Sequence, residues 1–307
     1  MKLSVIVLFS DGDKKCFSHW VENAKAKIKV EHELIAVDNT SDGSLPETEG
    51  IKIVRGSRDA GCFVGRKIGF KASCGEYIWY CDGDDEILTL AEFPFTADMV
   101  CFNYMAQRKG EEMGIGKDPY LVSFKAEASS FYHALWKKQC KNMVWNKFFK
   151  RDVLYSIYNA MPEFEMYTSE DALLSLLAEM VVHSIEFCPH AFYLYYMNNG
   201  MSENTITDIE KFKRIFRGTK EGWSYYKLIT TPEQRELAGI RDEDLMVNLC
   251  RYALDQNERA DAVFKDYVHF LCEYFSEHLV LGTLEAFKSD YRKNYYRIKR
   301  LVNDFKK

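Results

Sequence analysis

The sequence predicts an α/β fold, a mostly parallel sheet flanked by helices, with a helical region behind it. Three observations predict this. Short apolar runs alternate with helical patterns over about the first hundred residues, the order expected of parallel strands joined by crossover helices. Two of those runs, HELIAVD and EYIWYCD, end on an aspartate, at the strand ends where such sheets bind ligands. From about residue 205, apolar residues recur at helical spacing and no proline follows Pro232, which reads as helix throughout.

In chain order, residues 3–9 form the first strand. Residues 16–29 follow as a helix, with Phe17, Trp20, Val21, Ala24 and Ile28 on one face. Strands are expected at 32–38, 51–54, 76–82 and 97–106, with a helix over 59–73. From about 121 the pattern turns mainly helical, through SEDALLSLLAEM at 169–180, with AFYLYYM at 191–197 as a last strand. The division expected is a catalytic domain over 1–204 and a helical region over 205–307.

Composition narrows the function classes. The chain has 307 residues, 47 % of them hydrophobic, and a formal net charge of -5. That charge disfavours a general nucleic-acid binder. Nine scattered cysteines with no C-x-x-C pair read as reduced thiols of a cytoplasmic protein. LSVIVLF is too short for a signal peptide and runs straight into the acidic SDGD. No stretch reaches the roughly 20 apolar residues of a membrane span.

The stretch YIWYCDGDDEIL sets Asp82, Asp84 and Asp85 at the end of an apolar run. Carboxylates this close raise one another's pKa. Mg²⁺ or Mn²⁺ removes the conflict, since hard cations take one or two carboxylates together with substrate phosphates. A solvated acidic turn is the plain alternative. Gly83 allows the backbone to approach a ligand closely. An EF-hand does not fit, because its Gly and its final Glu are missing. Asp38, in AVDNTSDGS, reads as an Asx turn or as a carboxylate facing a ligand. Gly61, Gly65 and Gly69 share one helix face and read first as close packing on a strand, with Arg66 beside them able to reach phosphate or the acidic turn. Glu170 and Asp171, after Thr168 and Ser169, suit a helix start or a general base facing a cleft. VWNKFFKRDVL, with Trp145, Asn146 and Lys147, reads as an amphipathic segment with a basic face. His190 reads as a lone structural histidine.

Taken in order, these pieces resemble a family 2 glycosyltransferase of the GT-A fold. LSVIVLFSD is similar to the family's opening strand, AVDNTSDGS to its second-strand Asp motif, DAGCFVGRKIG to its Gly- and Arg-bearing helix, and GEYIWYCDGDDEI to its D-x-D-D signature. VWNKFFKRDVL and SEDALLSLL resemble the W-N-K and E-D motifs of the capsule and surface-polysaccharide branch. The resemblance covers roughly 1–200. It implies that Asp38 binds the base of a nucleotide sugar, usually uracil, and that Asp82 contacts the ribose or the metal environment. It implies that Asp84 coordinates Mn²⁺ or Mg²⁺ with Asp85 in support, that Arg66 orients the acidic turn or the phosphates, and that Asp171 is the base with Glu170 beside it. The partners implied are a nucleotide-sugar donor and a saccharide or lipid-linked acceptor. The chain departs from the family at Leu8, Ser10 and Asp11, at Asp59 and Lys67, and at Met197. The basic tyrosine-rich end from Lys288 is a candidate for peripheral membrane contact, though a solvated capping helix is the plainer reading. A D-x-D phosphohydrolase and a catalytically silent nucleotide-sugar-binding module are the competing classes; Glu86 stands where the former commonly has Thr or Val.

Overall fold

The computed structural model describes residues 2–56, 61–108, 113–115, 124–127, 143–162, 165–166, 170–197, 209–237, 266, 269–273 and 303. Its strands are β1 (Leu3–Phe9), β2 (His32–Asp38), β3 (Lys52–Arg55), β4 (Tyr77–Asp82), β5 (Glu86–Ile87), β6 (Met99–Arg108), β7 (Gly114–Ile115), β8 (Phe124–Glu127), β9 (Lys147–Lys150) and β10 (Ser184–Met197). They make one ten-stranded sheet in the order β3-β2-β1-β4-β9-β6-β10-β5, with β7 beside β6 and β8 beside β10. β3, β2, β1 and β4 run parallel, as do β6 and β10. β1 is apolar at nearly every position and buried at all of them, which is how a strand covered on both faces reads. The parallel α/β half is therefore the expected one.

The helices are α1 (Phe17–Lys27), α2 (Gly61–Ala72), α3 (Arg151–Ala160), α4 (Glu170–Val181), α5 (Ile209–Ile229) and α6 (Pro232–Leu237). α1 buries Phe17, Trp20, Val21 and Ala24. The Phe9 ring meets Phe17 and Trp20 edge-on, at 5.2 and 6.2 Å, so the end of β1 is fixed by aromatic packing. α2 turns its glycines to the sheet. A Cβ on Gly69 would come within 2.3 Å of Ile6 Cγ2, and one on Gly65 within 2.9 Å of Leu8 Cδ2. Close packing on a strand is thus what Gly65 and Gly69 serve. Gly83 serves the same end: a Cβ there would lie 2.6 Å from the Phe9 ring and 2.9 Å from the Leu8 carbonyl oxygen.

Gly61 is the most constrained of the series. Its φ is +73°, and an added Cβ would lie 2.3 Å from the Met166 carbonyl oxygen. Gly61→Ala is expected to destabilise the protein by about 1–3 kcal/mol from the backbone conformation alone, with the steric conflict adding to it. Urea denaturation monitored by tryptophan fluorescence measures this, and an unchanged midpoint would refute it.

Several elements differ from their sequence reading. From 121 to 180 the described residues are mainly helical, in α3 and α4, but two strands the sequence reading did not expect, β8 and β9, stand among them. The KFFK of β9 lies antiparallel between β4 and β6. Phe148 and Phe149 are fully buried there, and Lys147 is 0 % exposed, so it belongs to no basic face. β10 begins seven residues earlier than its expected start at 191 and carries register shifts around Cys188, Ala191 and Tyr193. The break at Pro189 hid it, because proline removes a ladder donor. The seven described cysteines are free thiols.

The chain divides into two compact units, Met1–Gly200 with Gly218–Ala238, and Met201–Arg217 with Gly239–Lys307. In the second unit, Phe270 meets Phe212 and Phe216 edge-on at 5.9 and 5.2 Å. Among the described residues no helix is long and apolar enough to cross a membrane. The basic stretch 288–307, apart from residue 303, lies outside the described residues, as do Asp59, Thr168 and Ser169.

Candidate active site

β1, β2 and β4 end together. The register pairs Phe9 with Asp38 and Leu8 with Asp82, so both strand-end aspartates stand on one edge of the sheet. Asp38 is 2 % exposed. Its Oδ1 accepts from the Thr40 N–H at 3.0 Å and the Thr40 hydroxyl at 2.5 Å, and Oδ2 from the Leu45 N–H at 3.4 Å. Arg55 Nη1 sits 3.3 Å from Oδ1. This is the Asx turn, with the carboxylate holding the whole 39–45 loop. A neighbouring tie joins that loop to the one after β1: Asp11 Oδ1 accepts from the Ser41 N–H and hydroxyl, at 2.9 and 3.0 Å.

The second centre is Arg66, 3 % exposed on α2. The glycine face draws α2 down onto the sheet, which brings Arg66 Nη2 to 3.5 Å from Asp82 Oδ1. From the other side α4 begins with Glu170 and Asp171. Arg66 Nη1 lies 2.9 Å from Glu170 Oε1 and 2.7 Å from Asp171 Oδ1. One guanidinium thus joins residues of α2, the end of β4 and the start of α4, a planar fork suited to such contacts. Burial opposes the charge on Arg66, but the three carboxylates outweigh it.

One cation does not balance three carboxylates. Burial raises Glu170 to about 8, with Asp171 adding to it. Asp82 is raised to about 7, first by burial and then by Asp171, Asp84 and Asp13, against Arg66. Since its side chain keeps 37 % exposure, the neighbouring carboxylates, not only withdrawal from water, sustain that shift. Asp85 is 3 % exposed and raised well above the carboxylate range by burial, Asp82 and Asp84. Asp84 is half-buried and raised by burial.

Residues from β10 hold this acidic turn from behind. The Asp82 N–H donates to the Tyr193 hydroxyl at 2.9 Å. The Tyr196 N–H donates to Asp85 Oδ1 at 2.8 Å, and the Tyr196 hydroxyl to Glu86 Oε1 at 2.9 Å. Trp145 is stacked on Tyr193 and Tyr195, with centroids 4.8 and 5.3 Å apart. Asn146 lies against β6, its amide donating to the Phe102 carbonyl oxygen at 3.4 Å, and Lys147 Nζ donates to Asn146 Oδ1 at 3.0 Å.

Sequence reasoning missed Tyr193, Tyr196 and Asp13. Asp13 Oδ1 accepts from the Ser10 N–H and hydroxyl. Burial raises it to about 6, with Asp84 contributing. The acidic SDGD was the signal, but nothing in its spacing pairs it with residues 82–84. His190 is exposed and packs near Phe192. Among the described residues no group of three or more His, Cys, Asp or Glu side chains is placed to hold a metal ion by itself.

No protein-family model and no curated protein matches the sequence. Solved structures of TarS from S. aureus are similar to it. TarS 1–349 in complex with UDP-GlcNAc shares 16 % identity at a TM-score of 0.55, over 99 % of this chain and 80 % of that one. The complex with UDP gives 16 % and 0.53 over the same shares. TarS 1–349 alone gives 16 % and 0.54, over 96 % of this chain and 92 % of that one. The likeness is one of fold. It supports the GT-A-like α/β arrangement that the sequence resemblance implied.

Proposed function

We propose that this chain is an inverting, metal-dependent glycosyltransferase of the family 2 type. It would move a sugar from a nucleotide-diphosphate donor, a UDP-sugar, to a hydroxyl of a saccharide or lipid-linked acceptor. The observation that carries the reading is Arg66, which ties the strand-end Asp82 to the two acids of α4. Transfer needs charge compensation at the leaving diphosphate and a base for the acceptor hydroxyl. The acidic turn and α4 offer groups of both kinds, held at one guanidinium. The binding of UDP and of UDP-GlcNAc by TarS, of the same fold, supports the donor class.

The donor set suits a hard cation. Asp84 and Asp82 are close, electrostatically strained oxygen donors, and substrate phosphates supply the remaining ligands of such sites. Asp84 and Asp82 would hold Mn²⁺ or Mg²⁺, with Asp85 in support. When bound, the ion offsets the charge that develops on the diphosphate. Asp38 shapes the 39–45 loop as the base-binding wall, and Arg66 keeps the acids in register. Asp171 takes the acceptor proton. A single base and direct displacement give inversion. We place the reaction in surface polysaccharide assembly in the cytoplasm, on the strength of the capsule-branch motifs.

Asp84→Ala is expected to remove the metal dependence of nucleotide binding. In calorimetric titrations of UDP with and without Mn²⁺, the wild type should bind more tightly with the ion. The variant should bind equally weakly in both conditions. Metal-independent UDP affinity in the wild type, unchanged by the substitution, would sink the donor model.

A further inference from the structure

We infer that Tyr193 is a positioning residue for the cation and diphosphate end of the site, acting through the backbone of the acidic turn; this rests on the function proposed above. Three observations converge on it. Its hydroxyl accepts the Asp82 N–H at 2.9 Å, across 111 residues of sequence. Three residues on, the Tyr196 N–H of the same strand donates to Asp85 Oδ1 at 2.8 Å, so β10 holds both ends of the Asp82–Gly83–Asp84–Asp85 turn. The Tyr193 ring is 0 % exposed and lies nearly parallel to Trp145, at 13° and 4.8 Å. Trp145 is itself held where its carbonyl oxygen accepts the Trp79 indole N–H at 2.7 Å.

The turn needs such a clamp. Residues 83–85 belong to no strand, and three carboxylates in that space repel one another. Left to itself, the turn would open. Gly83 pins it to Phe9 and the Leu8 carbonyl on one side. Tyr193 and the Tyr196 N–H pin it on the other. Asp84, between the pins, is half-buried. The WNK stretch therefore acts at the site indirectly: Trp145 fixes the Tyr193 ring, and the ring's hydroxyl sets the pitch at which Asp82 and Asp84 face a ligand. Positioned groups of this kind matter because a small misplacement of a binding group is costly.

Tyr193→Phe tests this, since it deletes one hydroxyl and leaves the ring stack. UDP and uridine are titrated into the full chain over a range of Mn²⁺ concentrations. For the variant, the Mn²⁺ concentration at half-maximal UDP binding should rise about tenfold, the scale of one lost hydrogen bond. Uridine affinity should move less than about twofold. An unchanged Mn²⁺ requirement overturns the inference, and so does an equal loss for uridine, which would mark a merely structural residue. If the wild type itself shows no Mn²⁺-dependent UDP binding, the proposed function fails first, and the inference with it. Should Tyr193→Phe fail to fold, Trp145→Phe carries the test. It keeps the hydroxyl on a smaller support, and an unchanged Mn²⁺ requirement there overturns the inference equally.

Discussion

Arg66→Ala is expected to be the most destabilising single substitution in the first unit, costing about 3–5 kcal/mol at pH 8, as removal of one partner from a buried ion pair does. It leaves Asp82, Glu170 and Asp171 facing one another with no cation among them. The cost depends on pH with a definite sign. Asp82 and Glu170 have folded-state pKa values raised from 3.8 to about 7 and from 4.5 to about 8. The folded chain therefore holds protons that the unfolded chain has released above about pH 4.5. Their contribution favours folding at low pH and is lost as pH rises through 7 and 8. Without Arg66 both values rise further, so the variant's stability falls more steeply over that window. Urea midpoints at pH 5, 6.5 and 8 should show a gap between wild type and variant that widens with pH. A constant gap would mean that Arg66 stabilises by packing alone. Arg66→Lys should recover part of the loss, since a point charge cannot fork to three carboxylates.

The parts of this site legible in the sequence are those made by strands that announce their own ends. β1, β2 and β4 are mainly apolar runs, and two stop on aspartate. Once they lie parallel and in register, Asp38 and Asp82 share an edge, and no further information is needed. Arg66 was legible from its place on a glycine-faced helix, though its three partners were not. The rest depends on pairings between distant segments. β9 has four residues and sits between β4 and β6, so its alternation is masked by burial on both sides and its two end lysines suggest a surface. β10 is broken by proline, and its register shifts fall just before Tyr193. Local pattern carries no trace of a hydroxyl that meets a backbone amide 111 residues away. Asp13 was missed for a related reason, since its neighbour Asp84 lies across a sheet edge.

The same charge imbalance separates the two acids at the start of α4. Glu170 is the more enclosed, with its side chain 11 % exposed against 25 % for Asp171. Its raised pKa keeps it a neutral acid over much of the neutral range, which leaves it a poor acceptor of the proton that must leave the attacking hydroxyl. Asp171 is the acid closer to solvent and therefore to an incoming acceptor. Asp171→Asn keeps the shape and keeps an oxygen for Arg66 Nη1, so it should fold and bind donor as the wild type does. It should lose about 10²–10⁴-fold in the rate of sugar transfer, the usual worth of a positioned general base. Glu170→Gln exchanges one neutral group for another and should lose far less at pH 7. The measurement is UDP release under single-turnover conditions, with the UDP-sugar that gives the largest thermal shift, beside calorimetry of UDP binding. Full transfer activity in Asp171→Asn with donor affinity retained would remove the base from α4. Equal losses in the two variants would show that the acids act as one proton-sharing unit, and that the assignment of the base to Asp171 alone is wrong.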